Sequence, residues 1–273
     1  MKLTDRPRVV VTGAGSGLGA AFCTVLAERG ARVLASDVDL AAARATAARC
    51  GPDAHAVACD VTKLADVERL ADEADRLLGG VDLLVNNAGV AVVGTVGEVP
   101  MADWRWVIEV NLWGVIHGCH VFVPRLRKQG RGHILNVGSA AGLLSPPKMG
   151  PYNATKAAVV SLSETLYADL SGTGVGVTVL CPTFVKTNLV RSMRSTGDEP
   201  LPRAGQRVMD SAGTSPEDVV RAALAGVERG ALHVAPQPDG RWLWRLKRLA
   251  PRRFHQLSHH VIDALVTRLG RAT

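Results

Sequence analysis

An apolar run, Val9-Val10-Val11, leads directly into Thr12-Gly13-Ala14-Gly15-Ser16-Gly17-Leu18-Gly19 and from there into a helical pattern. Few segments restrict a fold so tightly. A strand that is apolar at consecutive positions is buried on both faces, as in a parallel sheet covered by helices. Glycines between strand and helix permit a tight turn and let the backbone approach an anion closely. The following helix aims its N-terminal amides at the same place. The order strand, turn, helix makes the signal specific. Gly13, Ser16, Gly17, Leu18 and Gly19 are therefore read as a pyrophosphate-binding turn.

The rest of the chain keeps the same rhythm. Strand patterns fall at 8–12, 32–36, 55–59, 81–85, 133–137, 175–180 and 231–234. Helical patterns lie between them, near 17–29, 39–49, 63–78, 101–128, 151–171 and 216–228. Such alternation predicts an α/β class: a doubly wound Rossmann fold, a parallel sheet with helices on both faces. At 273 residues the chain suits one such domain, placed at 1–238, with an extension at 239–273. Residues 189–213, rich in Gly, Pro, Ser and charge, interrupt the rhythm after a strand and are read as a substrate lid.

Composition narrows the function classes. Apolar residues make up 47% of the chain, which supports a large core. No run of about 18 uncharged apolar residues suggests a membrane span. The N-terminus lacks the apolar stretch of a secretory signal. Cys23, Cys50, Cys59, Cys119 and Cys181 are scattered and odd in number, which suits a reducing cytoplasm and argues against a disulfide framework or a metal site. His255, His259 and His260 have no carboxylate or cysteine set beside them and are read as surface or helix-face residues. The net charge is +7, but residues 239–273 hold eight Lys or Arg against two Asp, or +6. The body is nearly neutral, so nucleic acid is not an expected partner.

Two carboxylates and three further side chains carry chemistry. Asp37 ends the second strand, where it can accept the hydroxyls of an adenosine ribose and repel a 2′-phosphate, favouring NAD over NADP. Asp37 or Asp39 could equally cap the next helix. Asp60, with Val61 beside it, is placed to meet an adenine ring, or to cap the helix at 63. Tyr152 and Lys156 are four apart and share a helix face. A phenol has a pKa of about 10, and a nearby ammonium lowers it by favouring phenolate. It can then move a proton to or from a substrate oxygen. Ser139, thirteen residues upstream of Tyr152 and just past a strand, can hydrogen-bond that same oxygen.

Together, Thr12-Gly13, Gly17-x-Gly19, Asp60, Asn86-Asn87-Ala88-Gly89, Asn111, Ser139, Tyr152 and Lys156 resemble the short-chain dehydrogenase/reductase family over roughly residues 8–235. The resemblance implies a seven-stranded parallel sheet, NAD(P) binding without a metal, and a homodimer or homotetramer. It also implies roles. Tyr152 would be the general acid/base. Lys156 would lower its pKa and hold the nicotinamide ribose. Ser139 would orient the substrate oxygen, and Asn111 would hold a water in a relay through Lys156. Asn87, Ala88 and Gly89 would line the adenosine side; Pro182, Thr183, Val185 and Thr187 would sit by the nicotinamide. One departure stands out: Pro182-Thr183 replaces the family's Pro-Gly.

Ala141, Leu143, Leu144, Met149 and Phe184 are read as an apolar substrate wall, and no arginine pair is placed to clamp an anion. The expected reaction is hydride transfer between NAD(H) and a hydrophobic secondary alcohol or ketone, of steroid-like, retinoid-like, aryl or aliphatic type. Arg191, Arg194 and Arg203 in the lid keep an acidic substrate open. An NADP-dependent carbonyl reductase and a non-catalytic NAD-binding sensor or scaffold are the alternatives. Beyond Pro238, tryptophans, leucines and arginines recur at helical spacing. Such a segment can pack on its own body, cover the substrate entrance, join subunits, or lie on an anionic membrane.

Overall fold

The computed structural model describes residues 5–186, 193–195 and 213–257. Nine strands lie among them: β1 (Arg8–Thr12), β2 (Arg32–Asp37), β3 (Ala54–Ala58), β4 (Leu83–Asn86), β5 (Val92–Val93), β6 (Gly132–Val137), β7 (Val175–Leu180), β8 (Arg194–Ser195) and β9 (His233–Val234). Seven form a parallel sheet in the order β3-β2-β1-β4-β6-β7-β9, and β5 pairs with β8 apart from it. The helices are α1 (Gly17–Glu28), α2 (Leu40–Arg49), α3 (Leu64–Leu78), α4 (Met101–Ile108), α5 (Gly114–Gln129), α6 (Ala140–Leu144), α7 (Gly150–Asp169), α8 (Pro216–Glu228) and α9 (Pro238–Leu249).

The apolar runs behave as a doubly covered sheet requires. Val9 and Val11 face the layer holding Phe22 and Leu26 of α1 and Leu224 of α8. Val10, between them, faces Leu70 of α3 and Phe122 of α5. Successive strand side chains point to opposite faces, so both sides must be apolar. Val9 pairs with Val33 of β2 on one side and Leu83 of β4 on the other. The chain winds outward from β1 through β2 to β3, then crosses to β4 and winds the other way. A crevice opens outside the carboxyl ends of strands at such a switch point.

The structure redraws several expected elements, among them the fourth strand, which is Leu83–Asn86 and not 81–85. The third strand is Ala54–Ala58, and the last is shortened to His233–Val234. The helical pattern at 101–128 is not one regular helix, because a π-helical turn at Glu109–Trp113 separates α4 from α5. Met101–Gln129 is long and apolar enough to cross a membrane. Its apolar side is accounted for within the fold: Val115, Phe122 and Leu126 belong to the layer that covers the sheet. Only 193–195 and 213 of the proposed lid are described; Arg191 and Arg203 lie outside the described residues. Helix α9 begins at Pro238, so the division between 238 and 239 falls inside it, and the helix packs against the body beside α6.

Candidate active site

A crevice of about 600 Å³ opens at the carboxyl ends of β1 and β4. Gly13, Ser16, Gly17 and Leu18 line one end. Gly13 has φ +63°, and a Cβ there would stand 2.7 Å from the Ala88 Cα. A Cβ on Gly19 would stand 2.0 Å from the Gly13 carbonyl oxygen, so Gly19 lies behind the turn and lets α1 start against it. The Asn87 side chain pins this turn by donating to the carbonyls of Thr12 (2.9 Å) and Gly13 (3.0 Å). The Thr12 hydroxyl accepts the backbone N–H of Asn87 and of Ala88. Asn86 points the other way, into the core, where it donates to Asn136 at 2.9 Å. Of the paired asparagines, one shapes the crevice and the other ties β4 to β6.

Asp37 and Asp60 both line the crevice. Asp37 accepts from the Gly15 N–H at 2.8 Å and the Asp39 N–H at 3.0 Å. It therefore buttresses the glycine turn, while Asp39 is the side chain that caps α2, accepting from Ala41 and Ala42. Asp60 accepts from the backbone N–H and hydroxyl of Thr62 and lies 3.4 Å from the Lys63 ammonium. Burial opposes its ionisation. The Thr62 hydrogen bonds and Lys63 outweigh that and hold the carboxyl below its usual range. Val61, Ala88 and Gly89 complete this half.

Ser139, Tyr152 and Lys156 converge on the other half, with Pro182, Thr183 and Val185 opposite. Ser139 caps α6, accepting from the Ala141 N–H at 3.1 Å. Tyr152 and Lys156 are carried on one face of α7 and are nearly fully buried. The Lys156 ammonium donates to the Val137 carbonyl at 2.9 Å and lies 5.8 Å from the centre of the Tyr152 ring. Burial brings the Lys156 pKa down to about 8. Burial is also the largest influence on Tyr152 and pushes its phenol up, opposed by a hydrogen bond with the Ser139 side chain. The expected lowering of Tyr152 by Lys156 is thus not among the influences that set the phenol here, where desolvation leads.

Asn111 is fully buried in the π-helical turn behind this group. Its amide accepts from the Val90 N–H (2.8 Å) and donates to the Val90 carbonyl (2.9 Å) and the Thr155 hydroxyl (3.2 Å). A Cβ on Gly89 would lie 3.3 Å from the Asn111 Oδ1 and 3.5 Å from the Lys156 Nζ, so both groups meet at that glycine.

The residues read as a substrate wall do not line the crevice among the described residues. None of Ala141, Leu143, Leu144, Met149 or Phe184 lines it. The chain turns into α6 immediately after Ser139, and α6 packs on α7 so closely that a Cβ on Gly142 would stand 2.5 Å from the Lys156 carbonyl carbon. Leu143 packs into the core, Met149 is bridged to Gly94, and Phe184 is about half exposed. The apolar lining comes instead from Val90, Trp106 and Val110. Trp106 was visible in sequence only as one more apolar residue of a helix. Thr187 lies outside the described residues. Thr183 is absent from the residues with positive φ, so its turn does not demand the family's glycine.

Residues 7–198 match the short chain dehydrogenase family. C alpha-dehydrogenase of Sphingobium sp. (strain NBRC 103272 / SYK-6) is 34% identical over 247 residues, covering 85% of this chain and 80% of the relative. The 1-deoxy-11-beta-hydroxypentalenate dehydrogenase of Streptomyces avermitilis is 41% identical over 192 residues, covering 67% of this chain and 70% of that one. This chain spans only 43% of the length of a further, longer relative, to which it is 33% identical. Among solved structures, a short chain dehydrogenase/reductase from Burkholderia phymatum in complex with NAD superposes with a TM-score of 0.86. It is 38% identical, and the match covers 91% of this chain and 95% of that one.

Proposed function

The chain is an oxidoreductase of the short chain dehydrogenase family, and we propose that it interconverts a hydrophobic secondary alcohol and its ketone with NAD(H). The observation that carries this reading is the joining of Ser139, Tyr152 and Lys156 at one end of a crevice whose other end is a glycine turn closed by Asp37. The glycine cradle fits a dinucleotide, because Gly13, Ser16, Gly17 and Leu18 line the crevice where α1 begins and a helix N-terminus favours an anion there. Gly13, Ser16, Gly17, Leu18, Asp37, Asp60, Val61, Asn87, Ala88 and Gly89 would hold its adenosine and pyrophosphate half. Pro182, Thr183, Val185, Tyr152 and Lys156 would hold the nicotinamide half. Bound NAD supplies the acceptor for hydride from the carbinol carbon.

The side chains handle the proton. Ser139 donates to the substrate oxygen and fixes it beside the Tyr152 hydroxyl. As phenolate, Tyr152 takes the proton as the alcohol becomes a ketone, and as phenol it returns that proton in the reverse direction. Lys156, held by the Val137 carbonyl, places a positive charge near the phenol and favours phenolate as it forms. Val90, Trp106 and Val110 supply an apolar wall suited to a hydrophobic substrate. Asp37 favours NAD by repelling a 2′-phosphate. Self-association as a homodimer or homotetramer, and contact of the basic C-terminal stretch with an anionic membrane, belong to the same proposal.

The test is initial-rate measurement with hydrophobic alcohols and ketones, using NAD(H) and NADP(H) in parallel. Turnover with NAD(H) should fall at least about 1,000-fold in Tyr152→Phe, which removes the acid/base group. Asp37→Ser should raise the NADP(H)/NAD(H) preference by about tenfold or more. A wild-type preference for NADPH would favour the carbonyl-reductase alternative. NADH binding without turnover on any compound would favour a sensor.

A further inference from the structure

The C-terminal stretch reaches the catalytic end of the crevice. Gln237, one residue before α9, is buried although it leads into a surface helix. Its side-chain oxygen accepts from the Thr183 N–H at 3.1 Å, and its side-chain nitrogen donates to the Phe184 carbonyl at 3.2 Å. One amide therefore satisfies a donor and an acceptor on consecutive residues of the segment that follows β7, as a neighbouring strand would. Three residues on, Gly240 is buried, and a Cβ there would stand 2.7 Å from the Thr183 methyl. The threonine that departs from the family's Pro-Gly is thus housed by a glycine of the extension.

The other end of α9 is anchored on α6. The Lys247 ammonium donates to the Leu143 carbonyl at 2.8 Å and reaches the Ser145 hydroxyl at 3.4 Å. Those residues end α6, the helix that Ser139 caps. The two held segments are themselves joined, since the Ala140 N–H donates to the Pro182 carbonyl at 2.8 Å. Helix α9 consequently ties together the two loops that leave the catalytic end of the sheet, one starting at Ser139 and one at Pro182.

We propose that Gln237 is a positioning residue for the reaction, and that α9, through Gln237, Gly240 and Lys247, is part of the active site. Its task is to hold the Pro182–Val185 wall at a fixed distance from Ser139 and Tyr152. Thr183 and Val185 line the crevice, and Gln237 does not, so it acts through them. That the wall faces the nicotinamide rests on the function proposed above; the clamp itself does not.

Gln237→Met keeps the length and apolar bulk of the side chain and removes both hydrogen bonds. Hydrogen exchange in the protein without added cofactor should then rise about tenfold or more at the Thr183 amide, which is bonded to the deleted oxygen. NADH affinity should fall about tenfold, and kcat should fall more than the substrate KM changes. Gln237→Glu keeps an acceptor for the Thr183 N–H and should retain its protection, while losing the bond to the Phe184 carbonyl. Lys247→Met should raise exchange across 143–145 and leave Thr183 protected. Unchanged Thr183 exchange in folded Gln237→Met overturns the proposal. So does a loss of thermal stability with NADH affinity and kcat intact, which would make the clamp merely structural. If Gln237→Met does not fold, an unprotected Thr183 amide in wild type and Gln237→Glu overturns the proposal, and protection in both upholds it. Failure of the wild type to bind NADH would count against the proposed function, while the exchange data would still read the clamp.

Discussion

His133 has no exposed surface, yet among the described residues only one of its ring nitrogens has a partner. Nε2 lies 2.8 Å from the Thr178 hydroxyl, which itself donates to the Ala231 carbonyl, so Nε2 carries the hydrogen. Nδ1 faces Gly176, where a Cβ would stand 2.3 Å away. Burial brings the pKa down to about 4, so the imidazole is neutral in the fold. An unfolded histidine titrates near 6.5. Between those values the unfolded chain holds the extra proton, so this contribution to stability is complete above about pH 6.5 and is lost as the pH falls toward 4. Going from pH 7 to pH 5 should cost about 2 kcal/mol through His133 alone. Urea unfolding of wild type and His133→Leu at both values measures this; the variant should lose about 2 kcal/mol less over the interval. An equal loss in both would mean that the ring is protonated in the fold.

At the scale of elements, the break between α4 and α5 shows how a site residue is set. A π-helical turn inserts an extra residue into a helix and is common at functional sites. Here it places Asn111 so that one amide satisfies both backbone groups of Val90, a residue of the crevice wall. Asn111→Ala should destabilise the fold by about 2 kcal/mol, since it leaves those groups without their partner. It should also weaken NADH binding, because Val90 is released; unfolding in urea and NADH titration measure the two effects. The alternation of elements was legible because strands buried on both faces and helices buried on one leave different periods. Tyr152, Lys156 and the glycine turn were legible because their spacing is local to one turn or one helix face, and Ser139 because it lies just past an apolar strand. The π turn was not, because 101–128 keeps an apolar pattern that fits a regular helix. The substrate wall was misplaced for a related reason. Proximity in sequence to Ser139 suggested Leu143 and Leu144, but they sit on a helix that starts at Ala140 and packs on α7, and neither lines the crevice. Gln237 meets Thr183 and Phe184 from far along the chain, and no local pattern marks such contacts; Trp106, five residues before Asn111, looks in sequence like any apolar residue of its helix.

For the whole molecule, the distribution of charge separates two jobs. Residues 239–273 hold +6 of the net +7, so long-range attraction for anions belongs to the C-terminal stretch and not to the crevice. The inner side of α9 is engaged through Gly240 and Lys247. Its outer side carries Trp242, Arg245 and Leu249, spaced by three and four residues, and the two large apolar side chains are 63% and 86% exposed. Arg241, Arg248, Arg252 and Arg253 are also exposed, and Asp239 is the lone acidic residue between 238 and 257. A second copy would bring like charge against like on this face. An anionic lipid surface would meet both its arginines and its apolar side chains. The full chain should therefore sediment with vesicles of phosphatidylcholine and phosphatidylserine at low salt and be released at about 0.5 M salt, where screening shortens the reach of the arginines. Trp242→Ser combined with Leu249→Ser should weaken binding about tenfold or more without changing turnover, because neither side chain touches the clamp. Equal sedimentation with pure phosphatidylcholine, or none with either vesicle, would show that the basic face has another purpose. Retained binding in the double variant would assign the attraction to charge alone.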